Sequence, residues 1–384
     1  MKRFLALNLV MTLILSLTLV GCNMEQQQNT QVPNEITTES GEPPKAEAET
    51  REDVLGAEKR VVMGFYTDPE GEIPGSKESM MKNIKALDEV SFFWYSFDHN
   101  GNIITTGKKD LSIKEAAQKN GAKAYALVHN MRKGLFDADL AHSVLANPQI
   151  RSKFVQNLVK LTMDEKWDGI AVDIEKTPPG DRENFTAFLG ELHKALKAKD
   201  KVLNVSIPAK FIDYPSDLWS GAYDYASIGK NADQVVLMTY DEHGLGTTHG
   251  PIASHAWVDK VIKYAVTKIP REKIVLGLPV YSFDWASNKP TQPDYLSYEQ
   301  SMARAKKHGV EVGYDEEHQV PWYTYTANGV RHEVYFENKQ SLTPKMEYAR
   351  KHKLHGVAIW RLGMEGPSIW ESLIKTYGTN ENKK

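Results

Sequence analysis

The chain of 384 residues carries 47 Lys and Arg against 50 Asp and Glu, a formal net charge of −3, and its basic residues are scattered, so no field gathers nucleic acid and that class of partner is excluded. Hydrophobic residues at 41% and charged residues at 25% are ordinary for a globular protein with a sizeable core, which excludes disorder throughout. A single cysteine excludes a disulfide within the chain.

At the N-terminus Lys2 and Arg3 precede an apolar run from Phe4 to Val20, the charge and hydrophobic pattern of a secretory signal. The run ends at Leu19-Val20-Gly21-Cys22, and this arrangement resembles a bacterial lipobox, in which cleavage leaves a lipid-bearing Cys at the new terminus. The resemblance implies a lipoprotein signal peptide over residues 1–21 and lipid attachment at Cys22. The protein would then be held by its lipid anchor on the extracytoplasmic face of a bacterial cell membrane. A plain membrane anchor, or an ordinary signal peptide with a coincidental Cys, remain as alternatives. Residues 22–58 are rich in Gln, Pro and Glu and nearly devoid of large apolar side chains. Such a segment cannot bury enough surface to fold, and as a flexible tether of about 35 residues it has an r.m.s. reach of about 35 Å.

Residues 59–378 alternate short runs rich in Val, Ile and aromatics with longer helical patterns, the rhythm of βα units. Eight strands are predicted, near Val61–Tyr66, Val90–Phe97, Ala122–His129, Gly169–Glu175, Val202–Pro208, Gln234–Asp241, Ile274–Tyr281 and Gly356–Arg361. Helices fall between them. Asn184–Lys197 places Phe185, Phe188, Leu189, Leu192 and Leu196 on one face, and Trp257–Lys268 follows the sixth strand. The fold class is therefore α/β, a (β/α)8 TIM barrel, whose chemistry gathers at the carboxyl ends of the strands. The gap between strands seven and eight is too long for one helix. Alternating runs around Ala327-Asn328-Gly329 predict a hairpin there, within a small α+β insertion over about 282–340. Residues 379–384 form a polar tail, and no internal repeat of fixed period is evident.

The most informative segment is Asp168-Gly-Ile-Ala-Val-Asp-Ile-Glu175. In a strand, residues two apart share a face, so Ala171, Asp173 and Glu175 point into the barrel while Ile170, Val172 and Ile174 point to the helices. Glu175 is last before the loop Lys176-Thr-Pro-Pro-Gly180, where a barrel puts its catalytic groups. Two carboxylates this close cannot both ionise freely, which supplies a proton donor at neutral pH.

This segment is similar to the Asp-x-x-Asp-x-Asp-x-Glu signature of glycoside hydrolase family 18, the chitinase-like family. Four further segments agree in order: Met238-Thr-Tyr-Asp241, Gly277-Leu-Pro-Val-Tyr281, Trp322 to Ser341, and Gly356-Val-Ala-Ile-Trp360. The resemblance covers roughly residues 60–375 and implies cleavage of β-linked N-acetylglucosamine polymers, either peptidoglycan or chitin-like, by substrate-assisted retaining catalysis. It implies that Glu175 protonates the glycosidic oxygen, that Asp173 and Tyr240 hold the acetamido group, and that Trp360 stacks beneath the ring. Asp241, Met238, Tyr281 and Tyr66 are expected to complete the substrate site. No cofactor is expected, and a monomer is.

Two departures bear on the branch. Position 171 is Ala where the full signature has Asp, and Tyr125-Ala-Leu-Val-His129 lacks the Ser-x-Gly-Gly of typical chitinases. Both resemble the spore-cortex and cell-wall branch of the family. His129, His243, His249 and His255 lack the helical i, i+4 spacing of a zinc motif and are read as solvated or rim hydrogen-bonders, with no metal. Phe92-Phe-Trp-Tyr95 reads more as core than as a sugar platform. For Trp285 and Trp322, stacking on sugar and packing stand even. A non-catalytic sugar-binding protein on the same barrel and a wall-remodelling transglycosylase are the alternatives in function; Glu175 speaks against the first.

If Cys22 carries the lipid, the native protein partitions into detergent, and Cys22→Ser abolishes lipidation and leaves the chain unprocessed or released. Membrane retention with normal processing in that variant identifies a simple hydrophobic anchor instead.

Overall fold

The computed structural model describes residues 60–379. The expected signal peptide over 1–21, Cys22, the tether over 22–58 and residues 380–384 lie outside the described residues. Eight parallel strands form the central sheet: β1 (Val61–Tyr66), β2 (Glu89–Phe97), β3 (Lys123–His129), β4 (Gly169–Asp173), β5 (Val202–Pro208), β6 (Gln234–Met238), β7 (Ile274–Pro279) and β8 (Gly356–Trp360). Each pairs with its neighbours in chain order, and β1 pairs with both β2 and β8, which closes the ring. Helices fill the connections, so the (β/α)8 barrel follows from the alternation of the sequence.

Period-two alternation sorts the strand side chains into two layers. Val61, Met63 and Phe65 of β1 point inward and meet Tyr125, Leu127, Ala171, Val236, Val275 and Ala358 inside the barrel. Val62 and Tyr66 point outward into the layer beneath the helices. The helix Arg182–Lys197 contributes Phe185, Phe188, Leu189, Leu192 and Leu196 to that outer layer, all fully buried, each stabilising by about 1.5–3 kcal/mol. The helix Pro148–Asp164 starts where Asn147 accepts the N–H groups of Gln149 and Ile150 and Pro148 occupies the first turn.

The amino ends of the strands are tied in pairs. Asp88, Asp168 and Asp233 stand immediately before β2, β4 and β6. Their carboxylates accept the N–H groups of Val62, Ala124 and Leu203 at 2.9, 2.8 and 2.8 Å. Their own N–H groups donate to the carbonyls of those same residues at 2.9, 2.9 and 3.0 Å. The first carboxylate of the β4 signature, Asp168, is thus a tie at the end of the barrel opposite the expected site.

Between β7 and β8 a five-stranded antiparallel sheet (Tyr281–Ala286, Asp294–Ser297, Gly313–Asp315, Val320–Ala327, Val330–Phe336) carries the helix Tyr298–Lys307. Asn328 and Gly329 both have positive φ, 50° and 76°, and join strands that pair Ala327 with Val330, the geometry that Asn-Gly favours in a two-residue hairpin turn. The observed strands stop short of the predicted ends. β4 ends at Asp173, not Glu175; β6 ends at Met238, not Asp241; and β7 ends at Pro279, with Tyr281 opening the insertion's first strand. In each case the segment leaves the ladder where its side chains turn to the barrel mouth.

Gly169 opens β4 so close to β5 that a Cβ there would lie 2.1 Å from the Val202 carbonyl oxygen. Neither backbone can yield without breaking the pairing. Gly169→Ala is therefore expected to destabilise by about 3 kcal/mol, read as a lowered urea midpoint; an unchanged midpoint refutes the close approach.

Candidate active site

At the carboxyl ends of the strands lies a cleft of about 480 Å³. Asp173, the last residue of β4, and Glu175, two residues beyond it, share this cleft with Met238, Tyr240 and Asp241 from the end of β6 and Trp360 from the end of β8. The structure therefore brings together six of the residues that the sequence singles out. Tyr281 stands behind them, fully buried, and donates its hydroxyl to Asp241.

Tyr66 does not line the cleft. It packs on Phe92 and Trp94 in the outer layer, with ring centroids 5.1 and 5.4 Å away. The inward parity of β1 belongs to residues 61, 63 and 65, so Phe65 lines the cleft instead. Phe65 and Phe93 set their rings edge-on to Trp360, at 5.2 and 5.9 Å. Trp360 is held from both sides and keeps surface toward the cleft, a platform suited to a sugar ring. The other residues of the Phe92–Tyr95 run are core.

Trp285 is buried against Phe283, and Trp322 stacks on Tyr335; neither lines the cleft. Its second tryptophan is Trp219, 47% exposed on the loop after β5, facing the cleft with Leu135 and Leu245. Sequence reasoning passed over Trp219, because its loop also carries Phe211, Ile212 and Tyr214 and the pair Leu218-Trp219 does not stand out there. Two of the four histidines, His129 and His255, differ from expectation, whereas His243 and His249 remain part-buried and exposed loop hydrogen-bonders. His129 is buried, stacked on Phe93 at 4.1 Å; its Nδ1 accepts the Met131 N–H at 3.0 Å, and burial lowers its pKa to about 3. His255 is also buried, its Nε2 donating to the Ser341 carbonyl at 2.9 Å.

Local geometry explains how these groups fit. Gly277 of β7 lets the Tyr240 ring lie against the strand, since a Cβ there would sit 2.9 Å from Cε1 of that ring and 2.5 Å from the Leu237 carbonyl oxygen. Asp241 and Lys176 adopt positive φ, 58° and 52°, a conformation that costs a non-glycine residue about 1–3 kcal/mol and is characteristic of functional sites.

Electrostatics follows from burial. Asp173 is 4% exposed, and its Oδ1 has no hydrogen-bond partner among the protein groups; desolvation raises its pKa. Glu175 is raised well above the ordinary carboxylate value, first by desolvation and then by the charges of Asp173 and Asp241. The Tyr240 hydroxyl is raised as well, chiefly by burial. The site thus offers a carboxyl at Glu175 whose hold on its proton is strengthened by burial and neighbouring charge, a buried acceptor at Asp173, a phenol at Tyr240 and an aromatic surface at Trp360. Ala171, beneath Asp173, packs among apolar side chains of the barrel interior, so no carboxylate approaches Asp173 from that position.

A carboxyl whose folded pKa is raised binds its proton more tightly in the folded than in the unfolded chain. Its contribution to stability is fully present below about pH 4 and is lost as pH rises through the raised value. Glu175→Gln removes this penalty. The variant is expected to melt above the parent at about pH 8, with the difference shrinking toward about pH 4; a difference independent of pH across thermal melts contradicts the raised value.

Residues 62–365 match the sequence model of the family described as Glycosyl hydrolases family 18. The chain is 30% identical over 329 residues to the uncharacterized glycosylase YvbX of Bacillus subtilis (strain 168), a match covering 82% of this chain and 95% of that protein. Among solved structures it is similar to the chitinase from Chromobacterium violaceum ATCC 12472, with a TM-score of 0.76 and 28% identity over 83% of this chain and 98% of that one. It is also similar to the spore cortex-lytic enzyme SleL of Bacillus megaterium QM B1551, with a TM-score of 0.75 and 26% identity over 83% and 74%. With the family match spanning nearly the whole barrel, from β1 to the segment beyond Trp360, the chain belongs to glycosyl hydrolase family 18 and is a glycosidase.

Proposed function

We propose that this glycosidase cleaves β-linked N-acetylglucosamine-containing polysaccharide, with the glycan strands of peptidoglycan as the first candidate and chitin-like chains as the second, by a substrate-assisted retaining mechanism. The observation that carries this reading is that Glu175, Asp173, Tyr240 and Trp360 line one cleft, with Asp173 at the end of β4 and the acid two residues beyond it. A retaining enzyme with its own nucleophile needs a second carboxylate about 5 Å across the sugar from the acid, and an inverting one needs a base farther away that activates water. Asp173, beside and below Glu175, suits neither task. It suits an acetamido N–H beneath the ring, and its unpartnered Oδ1 supports that role.

In this mechanism Glu175 gives its proton to the glycosidic oxygen as the bond from that oxygen to C1 breaks. The acetamido carbonyl oxygen attacks C1 from below and closes a cyclic cation. Asp173 accepts the acetamido N–H and faces the positive charge that develops there, while the Tyr240 hydroxyl donates toward the acetamido oxygen. Water then attacks C1 from the side the aglycone has left and gives its proton to the Glu175 carboxylate, which restores the acid and retains the β configuration. Trp360 supports the ring, with Met238 beside it and Asp241 held by Tyr281. Similarity to the spore cortex-lytic enzyme of Bacillus megaterium and to the cortical fragment-lytic enzyme of Bacillus anthracis favours the wall glycan over chitin. We further propose that Cys22 anchors the enzyme by lipid to the extracytoplasmic face of the membrane, with residues 22–58 as a tether toward the wall, and that it works as a monomer.

Proton NMR of early product from chitin oligomers and from peptidoglycan strands tests the mechanism. The first-released reducing end is expected as the β anomer, substrates lacking the N-acetyl group are not cut, and Glu175→Gln loses on the order of 10²–10⁴ in rate. An initial α anomer, or efficient cleavage of a de-acetylated chain, overturns it.

A further inference from the structure

β3 and β4 pair in parallel up to His129 opposite Asp173 and go no further. Two residues past that point, at Glu175, a side chain takes over from the ladder. The Asn130 amide accepts the Glu175 N–H through Oδ1 at 2.9 Å and donates through Nδ2 to the Glu175 carbonyl at 2.8 Å. A carboxamide offers the same donor and acceptor as a peptide unit, so Asn130 makes the two-bond exchange that a neighbouring strand would otherwise make. It is 0% exposed, and losing one of these bonds would leave a buried polar group unpaired. The segment is gripped from another side as well, since the buried Tyr223 hydroxyl donates to the Ile174 carbonyl at 2.8 Å. Immediately after these grips the chain passes through Lys176 at φ 52°, a conformation that persists only where its surroundings over-determine it.

Asn130 also holds the loop that follows β3. Its Nδ2 donates to the Asp137 carbonyl at 2.9 Å, and the Asp137 N–H returns to the Asn130 carbonyl at 3.0 Å. Between these two residues the hairpin strands Met131–Arg132 and Leu135–Phe136 supply Met131, Leu135 and Phe136 to the cleft wall. One buried amide therefore ties the main chain of Glu175 to a loop that lines the same cleft.

We propose that Asn130 is a positioning residue that fixes the backbone of Glu175, and hence the direction of its carboxyl, relative to the cleft wall. This rests on Glu175 being the acid. Asn130 does not face the reacting atoms; it acts through the orientation of Glu175. A misplacement of about 1 Å at a reacting group costs on the order of 10²-fold in rate, while Trp360 at the end of β8 and Tyr240 beyond β6, which Asn130 does not bond, are left in place.

The test uses the full-length protein, with the glycan strand or chitin oligomer that it cleaves as probe. Asn130→Ala is expected to lower kcat by about 10²-fold with KM little changed, in protein shown to be folded by its circular dichroism and a cooperative melt. Asn130→Asp keeps the acceptor for the Glu175 N–H but sets an anion against two carbonyls; protonation restores one donor. Its kcat relative to the parent should therefore recover as pH falls, a readout that a merely structural role would not move and that stands even where Asn130→Ala does not fold. A folded Asn130→Ala with parental kcat, or an Asn130→Asp profile parallel to that of the parent, overturns the inference. Glu175→Gln run in parallel separates the two readings: activity retained there removes the acid assignment and this inference with it, whereas an inactive Glu175→Gln beside a fully active Asn130→Ala overturns this inference alone.

Discussion

Closing a parallel sheet on itself aims every second side chain at a common axis, and water has little access there. Most of that axis is filled by apolar groups, with Met63, Leu127, Ala171 and Val236 among them. At its carboxyl end two acids of β4 and the segment just beyond it take their place. Their raised pKa values have desolvation as the leading cause, with mutual repulsion adding to it at Glu175. The same burial that raises the proton affinity of Glu175 makes the folded state bear an electrostatic cost, which the apolar layers beneath the helices must outweigh. Chemistry and stability are set against each other at one place in the fold.

Around that point the structure replaces regular pairing with individual contacts. Glu175, Tyr240, Asp241 and Tyr281 all lie two or three residues beyond the ends of their barrel strands. Each is held by a separate device: a side-chain amide, the close approach allowed by Gly277, a left-handed backbone, a tyrosine hydroxyl. A ladder repeats one geometry. A site needs several different ones, so the strands end where the site begins, and the residues that stiffen these ends are as much a part of the active centre as those that face the sugar.

This division also decides what could be read in the sequence. The eight strands, the helices between them and the Asn328-Gly329 turn were legible because each follows from local periodicity or turn chemistry. The acid-bearing segment was legible because two carboxylates on one strand face are rarely tolerated without a use. Parity at the end of β1 was not, since Phe65 and Tyr66 are both aromatic and only pairing with β2 and β8 tells which of them looks inward. Trp219 and the burial of His129 were hidden for a related reason: both depend on which loops meet above the barrel, a matter of distant contacts. Asn130 carries no sequence signal of its own. A lone Asn after a strand reads as a turn residue, and its partner lies 45 positions away.

The aspartates before β2, β4 and β6 give the ring a grain. Each binds both main-chain groups of one residue on the preceding strand, so β1–β2, β3–β4 and β5–β6 are joined by a charged contact in addition to their ladders. Before β8 the corresponding position is His355, whose N–H reaches the Ile274 carbonyl at 2.8 Å with no carboxylate to answer it. Seams between these pairs have ladder bonds without that added tie. Local opening costs least where the fewest contacts must be broken, so the Val62, Ala124 and Leu203 amides, each also held by a carboxylate, should exchange more slowly than the corresponding Ile274 amide at the start of β7.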